Sequence, residues 1–309
     1  MINDSILDVI GLTPVIRLNR VTDGCPANIL AKLEMLNPTG SAKARSAWGM
    51  IQAAERSGVL KPGGLIVEPT SGNQGIALAM VGAVRGYRVM LVMPEKMSIE
   101  RKKLMEAFGA EVVLTPAAED LSGAVRKARE LASTIPGAWM PDQFSNPTNP
   151  DYHERTTAQE IMSQVDEPIS AFLAGVGTGG TLTGVARVLK KHYPGVLIYA
   201  IEPAGSAVLS GGPPGEHGIQ GIGDGFIPGN LDLSLLDGAV PVSDKDACNM
   251  ARRLAREEGI LAGVSSGAAV VAAVTVGRQI GGGATVLTIL PDTGERYLST
   301  SLFEKDDNL

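Results

Sequence analysis

Asn37-Pro38-Thr39-Gly40-Ser41-Ala42-Lys43-Ala44-Arg45 carries the sequence from a turn into a helix. Asn-Pro and Thr-Gly are turn dipeptides. Ser41 is placed to cap a helix running from Ala44 to Ser57, with Trp48, Ile51 and Ala54 spaced along one face. Lys43 then falls in the first helical turn, where the backbone dipole disfavours a cation. An amine in that position is expected to have a lowered pKa and to be nucleophilic. Lys43 also reads as an ordinary solvated lysine, one of 27 Lys and Arg. The stretch alone does not choose between the two.

Outward from it, strand and helix patterns alternate. Strands are expected at Thr13 to Leu18, Asn28 to Leu33, Leu65 to Glu68, Arg88 to Met93 and Glu111 to Leu114. Later ones are expected at Ala171 to Ala174, Val196 to Ile201, Ile260 to Val264 and Thr285 to Leu290. Helical patterns separate most of them, which predicts an α/β protein with mainly parallel sheets flanked by helices. The polar segment Asp142 to Pro150, broken by two prolines, is the best crossing between domains. Residues 205–230 are Gly- and Pro-rich and read as a functional loop.

At 309 residues the chain is long enough for two domains. Its net charge of −6, with no basic cluster larger than Arg101-Lys102-Lys103, argues against nucleic acid as a partner. Two distant cysteines, Cys25 and Cys248, suit a reducing compartment, and neither they nor the three scattered histidines show metal-ligand spacing. The first residues lack the basic and apolar regions of a signal peptide. The uncharged window from Gly259 to Gly277 approaches membrane-spanning length. Ser265-Ser266-Gly267 interrupts it, so a buried strand, a polar turn and a buried helix are expected there, in a cytoplasmic protein with no membrane partner.

Two loops carry possible chemistry. Gly175-x-Gly177-x-x-Gly180 lies between a strand and a helix, and Glu202 stands 22 residues beyond Gly180 (202 − 180), near where a ribose-binding acid would fall. That is a dinucleotide fingerprint of the kind an NAD-dependent dehydrogenase carries. Gly177-Thr178-Gly179-Gly180-Thr181 reads equally as a cup of N–H groups and hydroxyls at a helix start, suited to one phosphate monoester. Thr70-Ser71-Gly72-Asn73-Gln74-Gly75 has the same placement. With hydroxyls, amides and no nearby charge it suits a carboxylate, or else simply caps a helix through Ser71 or Asn73.

A lysine at a helix start, an anion loop and a phosphate cup now stand together, and the chain resembles the cysteine synthase (O-acetylserine sulfhydrylase) family of fold-type-II pyridoxal-phosphate (PLP) enzymes. The resemblance spans nearly the whole length. It includes Gly11 to Asn19, Asn37 to Arg45, Glu68 to Gly75, Met93 to Arg101, Gln143 to Pro150 and Gly177 to Gly184. It continues through Gly221-Ile-Gly-Asp-Gly-Phe-Ile-Pro-Gly-Asn230, Gly263-Val-Ser-Ser-Gly267 and Leu290-Pro-Asp-Thr-Gly-Glu-Arg-Tyr297.

The resemblance implies a tryptophan-synthase-β-like fold. Residues 1–39 and 146–309 would form a larger PLP-binding domain, and 40–145 a smaller mobile domain carrying the carboxylate loop. Lys43 would hold PLP as a Schiff base and act as general base. Gly177, Thr178, Gly179, Gly180 and Thr181 would bind its phosphate, Asn73 its ring hydroxyl oxygen, and Ser265 (with Ser266 second) its pyridine nitrogen. Thr70, Ser71, Asn73, Gln74 and Gln143 would receive the substrate α-carboxylate. The implied activity forms L-cysteine from O-acetyl-L-serine and sulfide through an α-aminoacrylate intermediate. Related transferase or lyase reactions on serine, O-phosphoserine or cysteine, of the cystathionine β-synthase or desulfurating type, are the alternative. A homodimer is implied, as is capture of the serine acetyltransferase C-terminal tail by some members. Three positions depart from the family's usual pattern: Ala44, often Asp or Cys; Gln74, usually Thr; and Asp224, often Ala. Asp224 is therefore a candidate for proton transfer at Cβ, letting hydroxide leave or water add.

Overall fold

The structure, a computed structural model, describes residues 2–304. The strands are β1 (Val15–Arg17), β2 (Asn28–Leu33), β3 (Leu65–Pro69), β4 (Arg88–Pro94), β5 (Glu111–Thr115), β6 (Ala138–Trp139), β7 (Ala171–Gly175), β8 (Leu197–Pro203), β9 (Gly238–Val242) and β10 (Thr285–Leu290). The helices are α1 (Lys43–Ser57), α2 (Asn73–Arg85), α3 (Ile99–Ala107), α4 (Asp120–Thr134), α5 (Thr148–Arg155), α6 (Thr157–Gln164), α7 (Gly180–His192), α8 (Asp244–Arg253) and α9 (Val264–Ile280).

They build two sheets. One has six strands in the order β1-β2-β10-β7-β8-β9, parallel except for the β1–β2 pair. The other has four parallel strands in the order β5-β4-β3-β6. Each is covered on both faces, so its strands are continuous apolar runs rather than alternating ones. Along β7, Ala171 and Leu173 enter the cluster under α8 and α9, while Phe172 and Ala174 enter the one under α7. Along β3 and β4, Ile66, Val89 and Leu91 face the α2 side, and Leu65, Val67 and Met90 face α4.

Several expectations need correction. Ser41 does not cap α1. Ala42 occupies that position, while Ser41 is extended and bridges to Asp292. The strand expected at Ile260 to Val264 is only the isolated bridge Ala262–Thr293, and α9 begins at Val264, placing Ser265 and Ser266 in its first turn rather than in a polar turn. A short apolar run fits a buried helix start as well as a strand. The strands β6 and β9 and the helices α5 and α6 are additional. Pro150 lies in the first turn of α5, where its missing N–H costs nothing. Among the described residues no helix is long and apolar enough to cross a membrane.

Candidate active site

The site is a cleft onto which loops from both sheets open. Lys43 is the first residue of α1 and lines the cleft. Burial lowers the pKa of its amine; the carboxylates of Asp292 and Asp224 oppose that shift, and the Arg296 charge adds to it. An amine so placed is more readily deprotonated than a surface lysine.

The loop after β3 turns beneath it. Thr70 Oγ1 accepts the N–H groups of Gly72 (3.0 Å) and Gly75 (3.1 Å), fixing the loop while its own hydroxyl proton remains to donate. Gly72 is the cap of α2, and neither Ser71 nor Asn73 caps the helix with its side chain. Gln74 is buried. Ser46 Oγ donates to its Oε1 (2.8 Å), which orients the amide and leaves Nε2 without an acceptor. That unpartnered donor belongs to a residue lining the cleft, so the departure from Thr adds an N–H. Gln143 lines the same cleft, and its carbonyl is held by Asn149 Nδ2 (2.9 Å) and Asn230 Nδ2 (2.7 Å). Glu68, buried beneath, accepts the N–H groups of Asp142 and Gln143 (both 3.0 Å). Burial still pushes its carboxyl up to about 8.

The glycine loop meets the cleft from the other side. Gly177 and Thr178 line it, while Gly179, Gly180 and Thr181 form the start of α7 just behind. Their smallness is required. A Cβ on Gly177 would come 2.5 Å from the Gly221 carbonyl oxygen, and one on Gly180 would come 2.1 Å from Asn149 Oδ1. Gly179 has a φ of 78°, which favours glycine. His153 holds Thr181 Oγ1 through Nε2 (3.2 Å) and Thr157 Oγ1 through Nδ1 (2.8 Å). Burial lowers its pKa to about 3, so the imidazole is neutral at pH 7.

Ser265, in the first turn of α9, lines the cleft; its neighbour Ser266 is buried behind it. Asp224 is exposed at the mouth. The residues the sequence singled out therefore converge, but a supporting set was missed. Asp292 Oδ2 accepts from Asn73 Nδ2 (2.7 Å) and Tyr297 Oη (2.8 Å), and Arg296 donates to Asn73 Oδ1. Nor is the carboxylate loop free of charge: Arg101 of α3 packs on Gly72. Glu202 is buried and accepts the N–H groups of Leu209 (2.7 Å) and Ser210 (2.9 Å). It is occupied in holding a loop, which removes the acid a dinucleotide site would need.

Comparison with known proteins decides the family. The family model for "Pyridoxal-phosphate dependent enzyme" matches residues 6–292. The chain belongs to that family. A cysteine synthase of Staphylococcus aureus is 54% identical over 305 residues, 98% of each chain. The solved structure of a cysteine synthase from Entamoeba histolytica superposes with a TM-score of 0.95 at 42% identity, covering 100% of this chain and 93% of that one. An O-acetylserine-dependent cystathionine β-synthase from Helicobacter pylori superposes at 0.93 with 42% identity, covering 98% of this chain and 100% of the other. As a member of the PLP-dependent family the chain uses PLP. The residues suit it: a cleft amine with a lowered pKa, a cup of N–H groups at a helix N-terminus too tight for side chains, and a hydroxyl at Ser265.

Proposed function

We propose that this protein is a cysteine synthase, converting O-acetyl-L-serine and sulfide into L-cysteine and acetate. The observation that carries the reading is the convergence of Lys43, the loop 70–74 and the glycine loop on one cleft, in a chain 54% identical to a cysteine synthase.

Lys43 is the residue that holds PLP. Gly177 to Thr181 bind its phosphate at the positive end of α7. Asn73, oriented by Asp292 and Arg296, retains one N–H for the ring hydroxyl oxygen. Ser265, which lines the cleft, would meet the pyridine nitrogen. When bound, PLP supplies an electron sink for the bond-breaking at Cα. A serine hydroxyl does not stabilise a protonated ring nitrogen as a carboxylate would, so the site favours expulsion of a group at Cβ. Thr70, Ser71, Asn73, Gln74 and Gln143 would receive the α-carboxylate with donors, in the same cleft as Lys43. With its amine free, Lys43 would take the Cα proton and later return it.

Residues 40–145 act as the smaller domain, closing over the carboxylate to exclude water, with 1–39 and 146–309 as the larger one. The four-stranded sheet lies wholly within the first range and the six-stranded sheet within the second, which supports the division. A homodimer in the cytoplasm completes the proposal; Cys25 and Cys248 are both free thiols.

Asp224 favours a second reading within the same chemistry. Its carboxyl group is at the cleft mouth and acts electrostatically on Lys43; in its protonated form it can donate to a hydroxide leaving Cβ and become the carboxylate, which takes the proton back from an adding water. The enzyme would then also use serine, or split cysteine into sulfide and serine. Initial rates with O-acetylserine, O-phosphoserine, serine and cysteine measure the preference. O-acetylserine should be turned over fastest. Asp224→Ala should cut serine and cysteine turnover about tenfold or more and leave O-acetylserine within about threefold, as expected for one lost acid. Equal loss on all substrates, or none on serine, would remove the role.

A further inference from the structure

Of the three basic residues Arg101-Lys102-Lys103, only Arg101 is buried, at 3% exposure. Its side chain runs from α3 under the carboxylate loop. A Cβ on Gly72 would lie 2.2 Å from Arg101 Cδ and 2.6 Å from its Nε. The guanidinium stacks on the Tyr297 ring, 5.1 Å from its centroid, and donates through one terminal nitrogen to Gln220 Oε1. Its Nε is buried without an acceptor. Among the described residues no carboxylate forms an ion pair with it, yet it lines the cleft beside Thr70, Ser71 and Asn73.

A buried guanidinium with an unused donor and no counter-ion is costly unless an anion arrives nearby. The loop it supports contains no charge of its own. We propose that Arg101 is the positive charge behind the substrate-carboxylate loop, setting the site's preference for an α-carboxylate and tying the filled loop through Gln220 to the segment that carries Asp224. It is a positioning residue. It acts through the Gly72 backbone on one side and the 220–224 segment on the other. The inference rests on the proposed amino-acid site.

The test is a binding titration of the PLP-loaded enzyme with L-alanine and with L-alaninamide, read from the visible spectrum without turnover. The ratio of the two affinities in a variant, divided by that in the parent, cancels the difference in amine basicity. Arg101→Met should lower the preference for the carboxylate roughly 10- to 100-fold, the scale of one lost charge-assisted interaction. It should raise KM for O-acetylserine by a similar factor and change kcat far less. Arg101→Lys, which keeps the charge, should stay within about tenfold of the parent. Folding is checked by circular dichroism and thermal unfolding. A folded Arg101→Met with unchanged preference would show that the arginine only packs α3 on Tyr297. If Arg101→Met does not fold, a folded Arg101→Lys that has lost the preference entirely overturns the proposal in the same way. Parent enzyme that binds neither ligand contradicts the amino-acid site itself, a separate outcome.

Discussion

Lys43→Ala should abolish cysteine formation while leaving the fold intact. Loss of the base alone costs about 10²–10⁴-fold in rate, and loss of the anchor adds to it, because PLP no longer survives dialysis. Among the described residues, none forms an ion pair with Lys43. Its amine has a lowered pKa, caused first by burial, so in the apoprotein the folded state binds fewer protons there than the unfolded state. That contribution favours folding fully only above the unfolded lysine value and is lost as pH falls through the lowered one. At neutral pH, removing the amine should therefore leave thermal stability equal or higher. Assay, dialysis followed by absorption, and a melting curve read the three effects together. Retained turnover, or retained PLP, would remove Lys43 from the site.

The second large effect is on stability. Two residues beyond Lys43, Arg45 is buried and reaches Glu34 through Nε (2.7 Å) and Nη2 (2.8 Å), and Glu160 through Nη1 (2.6 Å) and Nη2 (2.7 Å). Lys32 Nζ completes the cluster at 2.7 Å from Glu160. Two cations and two carboxylates thus tie β2, α1 and α6 together and set where α1 begins. Burial would raise the Glu34 carboxyl, but the Arg45 charge and hydrogen bonds outweigh it and hold it below the ordinary value. Burial likewise opposes Glu160, which the same arginine brings to about 2. Arg45→Met strands the buried Glu34 carboxylate and leaves Glu160 with Lys32 alone, and should cost about 3–5 kcal/mol of unfolding free energy. Arg45→Lys keeps the charge without the fork and should cost less. The sign with pH follows from the depressed values. The carboxylates favour folding above about pH 4.5 and lose that contribution as pH falls toward about 2. The acid limb of stability should move to higher pH in the variant. Denaturant titrations from pH 3 to 7 measure this. A loss under about 1 kcal/mol would mean the cluster is not a stabilising node.

How much of this was readable in the chain depends on sequence separation. Lys43 at a helix start, the β3 loop and the glycine loop are local patterns of turn, small residues and hydroxyls, and each was legible where it stands. Their partners were not. Arg101 meets Gln220 across 119 residues and Asn73 meets Asp292 across 219, and neither pairing leaves a local mark. His153 was passed over as one of three scattered histidines, because its work is to orient Thr181, 28 residues away. Ser41 has the chemistry of an N-cap, but its backbone pairs with Asp292, and that bridge overrides the propensity. Within the segment Asp142 to Pro150, Pro150 hid the start of α5, because a residue tolerated in a first helical turn resembles a loop breaker. Gln74 is the instructive case. It stands out in the sequence as a departure from Thr, and Ser46, not visible as a partner beforehand, holds its oxygen and leaves its Nε2 without an acceptor.

The measurement that bears most directly on the central claim is product analysis of the PLP-loaded enzyme supplied with O-acetyl-L-serine and sulfide. The account predicts L-cysteine and acetate in equal amounts, formed catalytically and absent with Lys43→Ala. Acetate without cysteine, or no consumption of O-acetylserine at all, would contradict it.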